Sequence, residues 1–174
     1  MESTVLEREQ GAVAKTDERA GKYLVFQLAS EEFGIRVLKV REIMGVQDIT
    51  AVPQTPSYVK GVINLRGKVI PVVDLRLKFS LPPAEYSQRT CIIVVQVQGE
   101  AGPILMGIVV DGVAEVANLA AADIEDTPAF TTSSEKSYLL GMAKVKGKVK
   151  ILLDIDQALG NQELHSLEGL PGIR

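Results

Sequence analysis

In Tyr58-Val-Lys-Gly-Val-Ile-Asn-Leu-Arg-Gly-Lys-Val-Ile-Pro-Val-Val-Asp74, a tyrosine, a glycine, a Gly-Lys-Val turn and an aspartate all recur 80 residues later. The second segment is Tyr138-Leu-Leu-Gly-Met-Ala-Lys-Val-Lys-Gly-Lys-Val-Lys-Ile-Leu-Leu-Asp154. A shared strand periodicity would match the apolar residues, but it would not place the glycines and polar residues in register. The chain therefore carries an internal duplication.

Two further blocks extend the duplication toward the start of each copy. Residues 24–28 align with 93–97 at a spacing of 69, and residues 34–43 align with 107–116 at a spacing of 73. The spacing grows along the chain, as loop insertions in the second copy would make it do. A copy of roughly 70 residues buries too little apolar surface to be stable alone, so the two copies are expected to pack together.

Short strands joined by tight turns dominate each copy. The predicted strands of the first copy are residues 22–30, 33–37, 49–52, 61–66 and 68–73, with 38–43 as a helical or extended crossing. In the second copy, alternation along 144–150 is expected to point the lysines outward and the valines inward. Short helices are predicted at 74–79 and 154–159, each with an aspartate at its N-cap. The structural residues are Gly61, Gly67, Asp74, Gly141, Gly147 and Asp154.

This pattern predicts a mainly β protein built as two similar small barrels packed side by side, with about five strands in each. Residues 1–21 are expected to form a flexible leader and 161–174 a tail. The folded region is 22–160. Its first subdomain is placed at about 22–80, a linker at 81–89 and the second subdomain at about 90–160, with the chain ends allowed to cross over between them.

Composition excludes several classes of function. The 174 residues carry a net charge of −3, one cysteine and one histidine. Cys91 cannot form an internal disulfide, and His165 alone supports neither a typical zinc site nor a histidine-based catalytic group. No secretion signal and no apolar run of membrane-spanning length is present, so a cytoplasmic protein without direct membrane insertion is expected. No cofactor, metal or catalytic residue is predicted.

Three motifs share some features with known binding sites. The segment 61–68 superficially resembles a phosphate-binding loop, but it is one residue too long and Val69 stands where Ser or Thr would hold Mg²⁺. The acidic residues of 123–126 lack the spacing of a calcium loop. The lysines of 144–150 form a basic face, which is either a solvated edge or a docking face for an acidic partner. Nucleic acid is not the expected partner, because aromatic residues are too scarce for a stacking platform.

Several segments in order resemble the CheW family, the coupling proteins of bacterial chemotaxis. The resemblance begins with Tyr23-Leu-Val-Phe-Gln-Leu28, Glu31-Glu-Phe-Gly-Ile35 and Val40-Arg-Glu-Ile43. It is most specific in Pro56-Ser-Tyr-Val-Lys-Gly-Val-Ile-Asn-Leu-Arg-Gly67 and Ile70-Pro-Val-Val-Asp-Leu-Arg76. It ends with Gly107-Ile-Val-Val-Asp-Gly-Val113 and Leu152-Leu-Asp-Ile155. The likeness covers residues 22–160.

The resemblance implies two SH3-like five-stranded barrels and a non-enzymatic adaptor in receptor arrays at the inner face of the membrane. The implied partners are the regulatory domain of the histidine kinase CheA and the cytoplasmic tip of chemoreceptors, with possible self-association into rings. The implied partner-binding residues are Val40, Glu42 and Arg66, together with Val37 and Val110 near the groove between the barrels. A CheV-type protein, in which the module is fused to a phosphoacceptor domain, is disfavoured because only 15 residues follow Leu159. A nucleic-acid binder and an unrecognised enzyme remain the alternatives from other classes.

The duplication adds one hypothesis to the resemblance. If Glu42 pairs with Arg66 across the first barrel, the equivalent residues of the second copy are Glu115 and Lys146. Glu42–Arg66 is predicted to be a strong bidentate pair that shapes a binding loop, and Glu115–Lys146 its looser counterpart. The alternative is that these are independent surface charges.

Overall fold

The computed structural model describes residues 18–99, 101–127 and 138–159. Eleven strands are present in this part of the chain: β1 (Gly21–Leu28), β2 (Glu31–Arg36), β3 (Val40–Gly45), β4 (Val59–Leu65), β5 (Lys68–Asp74), β6 (Cys91–Gly99), β7 (Gly102–Val110), β8 (Gly112–Leu119), β9 (Ile124–Glu125), β10 (Leu139–Val145) and β11 (Lys148–Leu153). Short helices α1 (Leu75–Lys78) and α2 (Ile155–Leu159) follow β5 and β11. The mainly β prediction is confirmed. Residues 1–17 of the expected leader and all of the expected tail, His165 included, lie outside the described residues.

The strands form two sheets, which correspond to the two SH3-like subdomains. Sheet 1 has the order β8-β1-β2-β11-β10-β9, and sheet 2 has the order β3-β6-β7-β5-β4. Sheet 2 has five strands, the number predicted for each barrel, and sheet 1 has a sixth because the two-residue strand β9 pairs with β10. The position equivalent to β9 in the first copy is the segment 49–52, which was predicted as a strand. That prediction is wrong, because the segment makes only one isolated β-bridge, between Thr50 and Val62.

The sheets do not follow the contiguous halves 22–80 and 90–160. The hairpin β1–β2 belongs to the first half but lies in sheet 1 with β8, β10 and β11. The hairpin β6–β7 belongs to the second half but lies in sheet 2 with β3, β4 and β5. Each sheet is therefore a hairpin of one copy completed by the remaining strands of the other. Local sequence signals define a hairpin but not the sheet that receives it.

Parallel pairings join the two copies inside each sheet. Strand β2 runs parallel to β11, with Gly34 opposite Leu152, and β5 runs parallel to β7, with Val72 opposite Gly107. The two pairings are equivalent under the duplication. Each sheet also has an apolar cluster of its own, and a third cluster joins them. This shared cluster contains Leu24, Phe26, Leu28 and Ile35 from sheet 1 and Val73, Ile93, Val95 and Ile108 from sheet 2, among others. The two subdomains thus pack side by side on one core.

The repeated segment has the same local geometry in both copies. Asp74 donates its backbone N–H to the carbonyl of Tyr58 at 2.8 Å, and Asp154 donates to Tyr138 at 2.9 Å. The hairpin turns Arg66-Gly67 and Lys146-Gly147 both have positive φ at their two central residues, as the tight turn of a two-residue hairpin requires. The repeated signals therefore encode one hairpin twice.

Both predicted helix caps are present. The Asp74 carboxylate accepts a hydrogen bond from the backbone of Leu77 at 3.3 Å. The Asp154 carboxylate accepts from the backbones of Asp156 at 3.1 Å and Gln157 at 3.3 Å. These bonds satisfy N–H groups that the first turn of a helix leaves without partners.

The predicted pattern of outward lysines and inward valines in residues 144–150 is wrong for the end of the segment, on strand β11. Lys150 is only 5% exposed, whereas Val149 is 49% exposed. The hairpin register explains the inversion, because it places Lys150 opposite the buried Ala143 and Val149 opposite Lys144. Residues directly opposite each other share a face of the sheet, so Lys150 points inward with Ala143.

We predict that Gly61→Ala destabilises the fold by about 3 kcal/mol. Gly61 has a φ of +140°, and a Cβ added there would lie 2.0 Å from the carbonyl oxygen of Thr50. Urea unfolding measures the loss. Gly45→Ala is the matched control, because a Cβ at Gly45 meets nothing within 4 Å, and its midpoint should stay near wild type. Equal midpoints for the two variants would contradict this account of Gly61.

Candidate protein-interaction site

Strand β3 lies at one edge of sheet 2 and carries two of the five predicted partner-binding residues, Val40 and Glu42. It follows a 3₁₀ turn, Val37–Lys39, which connects the last strand of the first hairpin in sheet 1 to sheet 2. Side chains along β3 alternate between half-buried and exposed. Val40 lies opposite Val95 and packs against the shared cluster, whereas Glu42 is half-buried and lies opposite Val94. A bulge between the two residues turns them to opposite faces of sheet 2, so Val40 faces the shared core and Glu42 faces away from it.

Arg66 reaches Glu42 from the turn between β4 and β5. Its Nη1 donates to Oε1 of Glu42 at 3.2 Å, and its Nη2 lies 2.8 Å from Oε2. The second contact is an ion pair without aligned hydrogen-bond geometry, and Oε2 is shielded from solvent. The predicted contact between the two side chains is confirmed, but it consists of one hydrogen bond and one ion contact instead of two parallel hydrogen bonds. The Glu42–Arg66 pair links strand β3, at the edge of sheet 2, to the turn between β4 and β5.

The pair changes the titration of both groups. The hydrogen bond from Arg66 lowers the pKa of Glu42, and this effect outweighs the opposing effect of partial desolvation. The same bond raises the pKa of Arg66. Because the folded pKa of Glu42 is depressed, the stabilisation by the pair is fully present above the pKa of the unfolded chain. It is lost as pH falls through the lower folded value.

An open depression of about 480 Å³ adjoins the pair. Its lining residues are Arg41, Glu42, Leu65, Arg66, Lys68, Gln96, Pro103, Ile104 and Leu105. Three cations and one carboxylate surround an aliphatic floor, which fits a partner surface with apolar groups and an excess of acidic charge. Arg41 donates to the side chain of Gln96 on β6, which holds one wall of the depression.

The two valines predicted near the groove differ in their exposure. Val37 is half-buried in the 3₁₀ turn and packs against the shared cluster. Val110 is 1% exposed and is a member of that cluster. The prediction of a direct partner contact at Val110 is therefore wrong, because the shared core encloses its side chain. Its role is to join the two sheets.

The second-copy counterpart of the pair is not formed. Within the described ranges, Glu115 and Lys146 make no ion pair with each other, and Glu125 pairs with Lys144 at 3.1 Å instead. The prediction of a looser Glu115–Lys146 pair is therefore wrong. The compact ammonium group of lysine lacks the planar fork with which Arg66 makes two contacts.

Sequence reasoning missed one exposed feature of this surface. Leu38, in the centre of the 3₁₀ turn, is 86% exposed. Lys39 beside it is held by an ion pair to Asp156 at 2.7 Å. The alignment of the two copies contained a signal for this exposure. The residue equivalent to Leu38 in the second copy is Asp111, and a charged residue is typical of an exposed position.

The described residues contain no group of three or more His, Cys, Asp or Glu side chains placed to hold a metal ion. Cys91 is half-buried, and its thiol donates to the carbonyl of Arg89 at 3.0 Å. None of the helices in this part of the chain is long and apolar enough to cross a membrane.

Two SH3-like sheets that share a core and present a charged, partly aliphatic edge define a protein-interaction module. Comparison with known proteins gives the family. The family model of the CheW-like domain matches residues 22–163, and the chain belongs to this family.

Individual relatives agree with this assignment. The chain is 39% identical over 143 residues to the chemotaxis protein CheW of Klebsiella aerogenes, covering 82% of this chain and 84% of the relative. It is 34% identical over 151 residues to CheW of Rhizobium meliloti, covering 86% and 95%. The crystal structure of the scaffolding protein TtCheW from Thermoanaerobacter tengcongensis superposes with a TM-score of 0.72 at 33% identity, covering 83% of this chain and 95% of that one.

We predict that Arg66→Ala raises the pKa of Glu42, because it removes the hydrogen bond that lowers it and leaves the partial desolvation. An NMR titration that follows the Glu42 side-chain carboxyl carbon measures the change. Lys68→Ala is the control, since Lys68 lines the same depression but makes no contact with the carboxylate that lowers this pKa. An unchanged Glu42 titration in Arg66→Ala would show that the pair does not form in solution.

Proposed function

We propose that this chain is a non-enzymatic chemotaxis adaptor that couples transmembrane chemoreceptors to the histidine kinase CheA and thereby regulates the kinase. Membership of the CheW family is the observation that carries the proposal. The chemotaxis names of the Klebsiella and Rhizobium relatives and the scaffolding description of the Thermoanaerobacter protein support it. In this role the protein acts in the cytoplasm, in signalling arrays at the inner face of the membrane.

The proposed partner surface includes the Glu42–Arg66 pair and the residues beside it. Val37 and Val40 supply half-buried aliphatic surface next to the join between the sheets, where an apolar face of a receptor helix packs. Arg41, Arg66 and Lys68 supply the positive charge that orients an acidic partner. The regulatory domain of CheA is the second partner, and self-association into rings is a further contact of the same module.

Weak individual contacts suit this role. An interface of about 1,000 Å² typically gives only modest affinity after association entropy and desolvation are subtracted. In an array many such contacts are linked, so the assembly is held more strongly than any single pair. An adaptor of this kind needs shape and charge but no groups that make or break bonds.

The nucleic-acid alternative loses support from the lysine hairpin itself. Lys150 is buried in an ion pair with Glu32, and Lys144 pairs with Glu125. Two of the four lysines of the predicted basic face are therefore neutralised by carboxylates of the same chain. The remaining charges offer too little for the strong salt-dependent binding that a nucleic-acid partner requires.

Co-sedimentation tests the adaptor proposal. The full chain is mixed with membranes that contain a chemoreceptor, with and without CheA, and kinase activity is measured in the same samples. We expect the chain to sediment with receptor membranes, to raise the amount of CheA that sediments, and to change kinase activity. Failure to bind either partner at tens of micromolar would overturn the proposal.

Variants at the two equivalent hairpin turns test the proposed partner surface independently of the adaptor function. We predict that Arg66→Ala weakens partner binding by about tenfold, because it removes a cation and releases Glu42. Lys146→Ala, at the equivalent turn of the second copy, is the matched control and should bind as wild type does. The exchanged double variant E42R/R66E should retain the fold and the pair. Binding by Arg66→Ala equal to that of Lys146→Ala would exclude this site without excluding the adaptor function.

A further inference from the structure

The chain crosses between the two sheets at two equivalent places. The first crossing is the 3₁₀ turn Val37–Lys39, which leads from β2 in sheet 1 to β3 in sheet 2. The second crossing is Asp111, which leads from β7 in sheet 2 to β8 in sheet 1. Leu38 is the counterpart of Asp111, which lies 73 residues later in the repeat. The two crossings can therefore be compared position by position.

At the second crossing, Asp111 itself anchors the chain. Its carboxylate accepts from Nε of Arg76 in α1 at 2.8 and 3.0 Å, and Nη2 of the same guanidinium lies 2.8 Å from Oδ2. The carboxylate also accepts the backbone N–H of Ala29, in the turn between β1 and β2, at 2.6 Å. The side chain at this crossing is therefore held both by a helix and by a hairpin turn.

At the first crossing, a leucine occupies the position of this anchor. Leu38 is 86% exposed, and its side chain has no group that could make a hydrogen bond. A carboxylate on the helix makes the anchoring contacts instead. Asp156 of α2, at the position equivalent to Arg76, accepts from Nζ of Lys39 at 2.7 Å. Its other oxygen accepts the backbone N–H of Gln98 at 2.9 Å.

The comparison explains why Leu38 faces solvent. Gln98 is the counterpart of Ala29, at a spacing of 69 residues, so equivalent backbone N–H groups bind a carboxylate in both copies. The copies differ in the segment that supplies the carboxylate, which is the crossing in one copy and the helix in the other. Because Asp156 supplies it in the first case, position 38 has no anchoring contact to make. Its apolar side chain is nevertheless presented on a turn that is held in place.

The geometry of the turn sends its three side chains in different directions. A 3₁₀-helix has three residues per turn, so successive side chains lie about 120° apart. Val37 packs against the shared cluster, Lys39 reaches α2, and Leu38 points into solvent. The backbone N–H of Val40 donates to the carbonyl of Val37 and closes the turn. Holding Lys39 therefore fixes the direction in which Leu38 is presented.

The Asp156 carboxylate connects three parts of the fold. It belongs to α2, which follows the last strand of sheet 1 and buries Ile155 and Leu159 in the shared cluster. One of its oxygens binds the crossing, and the other binds β6 of sheet 2. The side chains of Lys39 and Asp156 are 36% and 25% exposed, so solvent screens their ion pair only in part. The pair is therefore placed to hold the turn against both sheets.

We propose that Asp156 is a positioning residue for the partner surface. Through Lys39 it holds the 3₁₀ turn so that Leu38 packs against the apolar face of the receptor helix. This inference rests on the proposed function, in which Val37 and Val40, beside this leucine, contact the same helix. An apolar side chain on a rigid turn loses little conformational freedom on binding, so more of its burial contributes to affinity.

Amide hydrogen exchange of the full chain tests whether the ion pair holds the turn. D156N removes the charge but keeps an oxygen that can accept from Gln98, and K39M removes the ammonium but keeps a stem of similar length. In both variants we expect the Val40 amide, which closes the turn, to exchange about tenfold faster than in wild type. The amide of Ile93, a buried residue of β6, should exchange at an unchanged rate.

Two further variants are the controls for this measurement. K39R keeps a cation that can pair with Asp156 and should leave Val40 exchange near the wild-type rate. E125Q removes an exposed ion pair elsewhere in sheet 1 and should change neither amide. Equal acceleration at Val40 and Ile93 would overturn the inference, because the whole fold would then be weakened. Unchanged Val40 exchange in both pair-breaking variants would also contradict it.

Co-sedimentation with receptor membranes tests whether the turn acts through Leu38. We expect L38A to bind about tenfold more weakly, because the apolar contact with the helix is lost. Val40 exchange should not change in L38A, since the leucine side chain is exposed in the free chain. K39M should bind about fivefold more weakly, and K39R should bind as wild type does. The double variant L38A/K39M should bind no more weakly than L38A, because the pair acts by presenting this leucine.

The binding results separate this inference from the proposed function. A loss of about 50-fold in L38A/K39M, the product of the two single losses, would show that the residues act independently and would exclude the positioning role. Binding by L38A equal to that of wild type would exclude the contact at Leu38. Both results leave the adaptor function standing, because the wild-type chain binds in each. A wild-type chain that does not bind receptor membranes would instead overturn the proposed function, and this inference with it.

Discussion

The parallel pairing of strands from opposite halves of the chain is the constraint on which the rest of the structure depends. Because β2 lies beside β11 and β5 beside β7, neither sheet is complete without both copies. The apolar faces of these strands then meet in one shared cluster. The edge where β3 presents Glu42 exists because the chain must cross from sheet 1 to sheet 2 immediately before it. The position of the candidate site therefore depends on this crossing.

Local features were predictable from the sequence because their signals are local. The β4–β5 and β10–β11 hairpins, their turns and both aspartate caps follow from glycine placement, strand periodicity and cap chemistry. The Glu42–Arg66 contact was suggested by the family resemblance, and recurrence of the two positions did not carry it to the second copy, where Glu115 and Lys146 form no ion pair. In all these cases the deciding residues lie within a single copy.

The predictions that the structure corrects concern residues whose positions depend on contacts between the two copies or on cross-strand register. The burial of Val110 follows from the shared core, which no periodicity within one strand reveals. The burial of Lys150 follows from hairpin register, since its opposite residue is Ala143. The predicted subdomain boundaries allowed the chain ends to cross over but did not show which hairpin crosses, because a hairpin carries the same local signals whichever sheet receives it. In each case the missing information was which residue lies next to the side chain in the folded protein.

The exchange of hairpins also determines how the protein responds to a cut. A peptide bond broken in the linker between α1 and β6 would separate the chain into its two sequence copies, but not into its two sheets. Sheet 1 would still contain β1 and β2 from one fragment and β8 to β11 from the other, and sheet 2 would likewise draw on both. The fragments are interlocked, so a nicked molecule can come apart only by losing strands from both sheets at once.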